Sequence, residues 1–129
     1  MKVKNFKSFN EGKDKFPDIK TVDIDGFVVY IGRDAKSNDH LTFNIADSDD
    51  IWMHVKGFPG SHSVIVVNDN LPTSEVIRKV AELTKKNSKA KAIDNITVIY
   101  CKRKFVKKQK DHNDGQVSVD YKNTNEVII

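Results

Sequence analysis

The side chains best suited to chemistry near neutral pH are four histidines, His40, His54, His62 and His112. His54 and His62 stand out because each lies in a strand-like run, and a Gly57-Phe58-Pro59-Gly60 turn separates the two runs. An antiparallel hairpin centred near Phe58 sets the imidazoles opposite each other, about 5 Å apart at Cβ. Two imidazoles do not complete a zinc site, which takes three or four N, S or O ligands. Asp49 and Asp50 extend the set only on paper, in a spacing that matches no metal motif. We therefore expect neither metal nor cofactor. Ser61-His62 fails as a nucleophile and base, because neighbouring strand residues point to opposite faces. No GxxxxGK[ST] phosphate loop occurs, and no carboxylate pair separates itself from the surface acids. The expected protein is not an enzyme. A close, neutral histidine pair retains one use, offering a donor and an acceptor to a base edge or a 2′-hydroxyl.

Charge points the same way. Lys102-Arg103-Lys104-Phe105-Val106-Lys107-Lys108-Gln109-Lys110 carries six cations in nine residues and no acid. Such a run neutralises phosphates and releases their counterions; it equally serves to blunt an exposed edge strand. The net charge is +4, unevenly spread: residues 1–50 hold eight Lys/Arg against ten Asp/Glu, and residues 51–129 hold fourteen against eight. A basic half implies a polyanionic partner. Trp52, His54 and Lys56 share one strand face that suits unstacked bases, although a lone Trp is more often core.

The elements that position these groups follow from pattern. A chain of 129 residues, 38% hydrophobic, makes one domain with a real core. The single Cys101 rules out an internal disulfide and reads as a small buried strand residue in a reducing compartment. No run approaches the ~18 apolar residues of a membrane span, and the polar N-terminus lacks a secretory h-region, so the expected location is the cytoplasm, away from membranes. Residues 1–23 read as an N-terminal extension and 24–129 as the domain. Strands are expected at 27–31, 51–56, 61–67 and 96–101, with a final hairpin from 116–121 and 126–129. Residues 40–46 read as one or two helical turns capped by Asn38 or Asp39. Leu71-Pro72-Thr73-Ser74-Glu75 starts a long helix, with Val76, Ile77, Val80 and Leu83 inward and Lys85 and Lys86 at its end. Lys89 and Lys91 continue that basic stretch. The fold class is α+β: a mixed, mainly antiparallel sheet of five or six strands with one long and one short helix packed on it.

Several segments together resemble one family. They are Gly32-Arg33 with Asn38-Asp39 and Leu41-Thr42, then Asp50-Ile51-Trp52-Met53-His54-Val55, then Pro59-Gly60-Ser61-His62-Ser63-Val64-Ile65. Asn87-Ser88-Lys89-Ala90-Lys91, Val98 through Tyr100, Phe105-Val106-Lys107-Lys108 and Gly115-Gln116-Val117 complete the series. The chain resembles the NFACT-R domain, the C-terminal module of ribosome-quality-control NFACT proteins, over about residues 24–129. Two departures stand out: Asp34 where the family often has Asn, and Asp111-His112-Asn113-Asp114 in place of a Gly- and Pro-bearing segment.

The resemblance implies RNA binding without catalysis, to transfer RNA or ribosomal RNA and in the neighbourhood of the large ribosomal subunit. The NFACT-N, helix-hairpin-helix and coiled-coil segments of full-length relatives are not in this sequence, so their transfer-RNA recruitment is not assumed of it, and RNA contact is what the resemblance carries over. The residues expected at the RNA are Arg33, Lys36, Asn38, Asp39, Trp52, His54, Lys56, Ser61 and His62 from the motifs, and Lys102, Arg103, Lys104, Lys107, Lys108 and Lys110 from the basic run. His54 and His62 are expected to form a pocket with Arg33 and Asn38. The alternative is a protein-interaction or DNA-binding module; a nuclease or metal-dependent hydrolase comes third.

Overall fold

The computed structural model describes residues 18–129. Strands β1 (Ile19–Ile24) and β2 (Phe27–Gly32) form the first hairpin. Its turn is Asp25-Gly26, both with positive φ (52° and 90°), the two-residue turn whose twist matches paired strands. The Asp23 carboxylate accepts the Gly26 N–H at 2.9 Å and steadies it. β1 draws on the stretch read as an N-terminal extension; residues 1–17 of that stretch lie outside the described residues.

β3 (Ile51–Val55), β4 (Ser63–Ile65), β5 (Thr97–Lys102) and β8 (Asn125–Ile128) complete a six-stranded sheet in the order β1-β2-β4-β3-β5-β8, every neighbour pair antiparallel. A second, two-stranded sheet joins β6 (Val106–Lys107) to β7 (Ser118–Val119). The expected final hairpin is therefore corrected. Its first half pairs with β6 and its second half with β5, because the 3-10 turn at Tyr121–Asn123 redirects the chain between sheets.

Helix α1 (Ala35–His40) starts earlier than its sequence implies. Asp34 caps it, accepting the Ser37 N–H at 2.7 Å, so Asn38 and Asp39 lie inside the helix instead of capping it. The chain continues through a π-helical stretch, Leu41–Ile45, closed by Ala46 N–H to the Leu41 carbonyl at 2.9 Å. Helix α2 (Ser74–Lys86) begins as read, with Thr73 accepting the Val76 N–H and Glu75 in the first turn.

The sheet buries both faces. Val76, Ile77, Val80 and Ala81 of α2 pack on Val29, Ile31, Met53, Val55, Ile65 and Val98. Tyr30, Trp52, Val64, Ile99 and Cys101 on the opposite face lie beneath Leu41, Ile45 and Val106. A polar tie crosses the first layer: the buried Thr84 hydroxyl donates to the Val80 carbonyl at 2.7 Å and meets the Ser63 hydroxyl at 2.8 Å. No helix among the described residues is long and apolar enough to cross a membrane.

Candidate nucleic-acid interface

The β3–β4 hairpin holds the histidines. Its printed register runs Ile51↔Ile65, Trp52↔Val64 and Met53↔Ser63, and the next step sets His54 opposite His62. The rings lie 5.3 Å apart, edge to face at 75°. Trp52 completes an aromatic triangle, 5.1 Å from His62 and 5.9 Å from His54. The predicted hairpin geometry is present, with the turn eased by Gly57 at φ 83°.

The loop that follows is locked from two sides. Gly60 bridges to Ser88, and the flanking bonds run from Ser61 N–H to the Asn87 carbonyl at 3.1 Å and from Lys89 N–H to the Pro59 carbonyl at 2.9 Å. A Cβ on Gly60 would stand 2.5 Å from the Ser88 Cβ, so only glycine admits this approach. From the other side Asn38 donates its amide to the Gly60 carbonyl at 3.3 Å and accepts the His62 N–H at 3.0 Å. The Gly32 N–H donates to the His62 carbonyl at 3.0 Å. Segments that look separate in sequence, around Gly32, Asn38, Gly60 and Ser88, thus meet at one point.

Burial decides the protonation of the pair. His62 is 1% exposed, and its Nδ1 meets the Thr42 hydroxyl at 2.9 Å. Burial, reinforced by His54 and by Lys108, pushes its pKa down to about 3 against the opposing pull of backbone at Asn38 and Gly115. His54 is also lowered by burial, with the Ser61 carbonyl, 3.5 Å from Nδ1, opposing. Both lowered values favour neutral rings at pH 7; with the His54 Nδ1–H directed at the Ser61 carbonyl, its Nε2 is left as an acceptor.

A cleft of about 750 Å³ opens beside this pair, lined by Arg33, Asn38, His54, Gly60 and Ser61. Lys86, Lys89 and Lys91 form its far wall. These lysines were legible as a basic stretch but not as part of the site, because long-range contacts, the Gly60–Ser88 bridge and its flanking backbone bonds among them, carry them to the hairpin. A second cleft, about 320 Å³, lies on the other side of His54.

Other expected site residues are placed differently. Trp52 is fully buried, so the proposed stacking face is a gradient from core (Trp52) through half-buried His54 to exposed Lys56. Asn38 and Ser61 are buried within the fold, and the Asn38 amide is engaged there. Asp39 pairs through one oxygen with Lys108 at 2.9 Å. Lys36 is exposed on α1. The basic run is not one stripe, since it passes from β5 through a 3-10 turn into β6 and the following loop. Lys102 and Lys104 each lie 3.8 Å from Asp49. Arg103 donates Nε to the Thr42 carbonyl at 2.7 Å and covers the Phe43 ring. Lys108 also donates to the Asn113 and Gln116 carbonyls. Lys107 and Lys110 remain exposed.

Asp50 has a structural task. Buried, it accepts the Val67 N–H and the Asp47 N–H, each at 2.9 Å. Among the described residues no three His, Cys, Asp or Glu side chains come together as metal ligands.

An α+β module with a cationic cleft walled by a locked hairpin and a helix end is built like a nucleic-acid-binding domain. The chain belongs to the NFACT protein RNA binding domain family, which matches residues 16–121. It is 31% identical over 125 residues to the Rqc2 homolog RqcH of Bacillus subtilis (strain 168), covering 96% of this chain and 22% of that protein. It is 42% identical over 65 residues to the Rqc2 homolog RqcH of Streptococcus suis (strain 05ZYH33), covering 50% and 11%. The chain thus spans about a fifth of the length of the first of these relatives. Among solved structures it is similar to the C-terminal part of the fibronectin/fibrinogen-binding protein from Streptococcus suis, with a TM-score of 0.78 and 29% identity over 86% of this chain and 44% of that one.

Proposed function

We propose that this chain is a non-catalytic RNA-binding module that takes RNA in the cleft between the His54 hairpin and the end of α2. The observation that carries this is the convergence of Arg33, Lys86, Lys89 and Lys91, four cations against the acids Asp34 and Asp114, around half-buried His54 in one cleft of about 750 Å³. The cations neutralise phosphates, and the Nε2 of neutral His54 can accept a hydrogen bond from a base amino group or a 2′-hydroxyl. Membership of an RNA-binding family supports the ligand class. The finer reading is that the RNA is transfer RNA or ribosomal RNA, bound in the cytoplasm beside the large ribosomal subunit in a quality-control setting like that of NFACT proteins. Arg33, Lys36, His54 and Lys56 would face the RNA, and Lys107 and Lys110 would add longer-range attraction.

Filter binding of transfer RNA across a salt series tests this. Changing Lys86, Lys89 and Lys91 together to Ala should weaken binding and lower the salt slope by about 2–3. An unchanged slope would remove the cleft from the RNA path. Sequencing of RNA that co-purifies with the intact chain then identifies the ligand.

A further inference from the structure

The second cleft differs in chemistry from the first. It is lined by His54, Lys56, Gln116, Val117, Val119 and Tyr121, with the buried Trp52 and His62 as its floor. The two clefts share His54, Gly115 and Gln116, so they adjoin along one wall. Tyr121 is 59% exposed although it is a large aromatic beside a half-buried histidine. The Lys56 ammonium, paired with Glu126 at 3.3 Å, lies 5.6 Å from the centre of its ring. The indole N–H of Trp52 is buried without a hydrogen-bond partner among the described residues. An exposed ring, a cation and neutral imidazoles, next to a wall of lysines, are the groups that hold an unpaired nucleotide: stacking for the base and charge for the phosphate.

We propose that the cleft between His54 and Tyr121 seats one unstacked RNA base whose adjoining phosphate lies in the neighbouring lysine cleft. This rests on the RNA-binding reading above and narrows it to single-stranded or looped RNA. About 320 Å³ is at the small end of ligand-pocket sizes, enough for one base and too little for a stacked pair with its backbone. Duplex RNA hides its base faces and cannot enter. An apolar protein segment is a poor occupant, because it would desolvate the Lys56–Glu126 ion pair, 3.3 Å across, together with His54. His54 is the wall common to both clefts, so a bound strand passes over it.

The experiment uses the intact chain and its single tryptophan, Trp52, as the reporter beneath the cleft. Emission and affinity are followed on titration with a mixed-sequence single-stranded oligoribonucleotide of about six nucleotides, and with the same sequence closed in a duplex. The single strand should change Trp52 emission and the duplex should not. Tyr121→Ala should weaken single-strand binding about ten-fold and abolish the emission change. Tyr121→Phe should retain both, and all three proteins should keep one salt slope. Single-strand binding that Tyr121→Ala leaves intact, or equal emission changes with duplex, would overturn the proposal while leaving RNA binding standing. If the native chain binds neither form, the RNA-binding reading falls and the base site falls with it.

Discussion

His54 and His62 face each other across the β3–β4 hairpin with ring centres 5.3 Å apart, one half-buried at a cleft wall and the other 1% exposed beneath it. The inner ring is fixed by Thr42 and the backbone of its neighbours, so the outer ring is held at a set height above the core. This relationship makes one histidine a structural support and leaves the other at the wall of the cleft, where we propose that it meets RNA.

The protonation of that pair predicts a pH dependence of stability. His62 has a folded pKa of about 3 against an unfolded value near 6.5, so the unfolded chain takes up its proton first as pH falls. The His62 contribution to stability is complete above pH ~6.5 and declines from there towards pH ~3. Between pH 7 and 5 it should amount to about 2 kcal/mol lost for His62, with His54 adding in the same direction. Urea unfolding at half-unit pH steps reads this; equal stability at pH 7 and pH 5 would contradict it.

Trp52→Ala should cost about 3–5 kcal/mol, because the indole is fully buried between Val64, Cys101 and the Leu41–Ile45 stretch. Thermal melts settle the matter. A variant that melts like the native chain but no longer binds RNA would show that Trp52 acts as a platform instead of core.

Gly60→Ala should destabilise by roughly 1–3 kcal/mol, since its Cβ would meet the Ser88 Cβ at 2.5 Å and Cα at 2.9 Å. The same strain separates the hairpin from Lys89 and Lys91, so RNA affinity should fall further than the stability loss alone explains. Affinity measured well below the melting temperature distinguishes the two effects; native affinity in this variant would show that the Gly60–Ser88 contact does not shape the cleft.

Lys108 and Asp39 form the ion pair that joins the basic run to α1, 2.9 Å apart with side chains 29% and 20% exposed. Lys108→Ala should lower stability by about 1–3 kcal/mol by stranding a mostly buried carboxylate. Asp39→Asn in the same background should recover part of it. Lys107→Ala should leave stability unchanged and reduce the salt slope of RNA binding by about one. If Lys104, Lys107 and Lys108 changed together to Ala lower the slope by 2–3 in a stable protein, the run is itself the main phosphate track.

Local pattern determined much of this protein. The Asp-Gly turn, the Thr73 cap and the apolar spacing of α2 are set by near neighbours, and the α+β class follows from them. The facing histidines were also legible, because a short turn converts sequence distance directly into register. Tertiary structure alone decided which charges converge. Lys86, Lys89 and Lys91 reach the hairpin through the Gly60–Ser88 bridge and the backbone bonds that flank it, whereas the denser run at Lys102–Lys110 is dispersed by a change of sheet and by pairing with Asp49 and Asp39. The fate of the last strands, split between β6 and β5, was settled in the same way. Charge density counts residues along the chain, but phosphate binding depends on where side chains stand in space. Contacts between segments more than twenty residues apart, such as Asn38 to His62, set those positions.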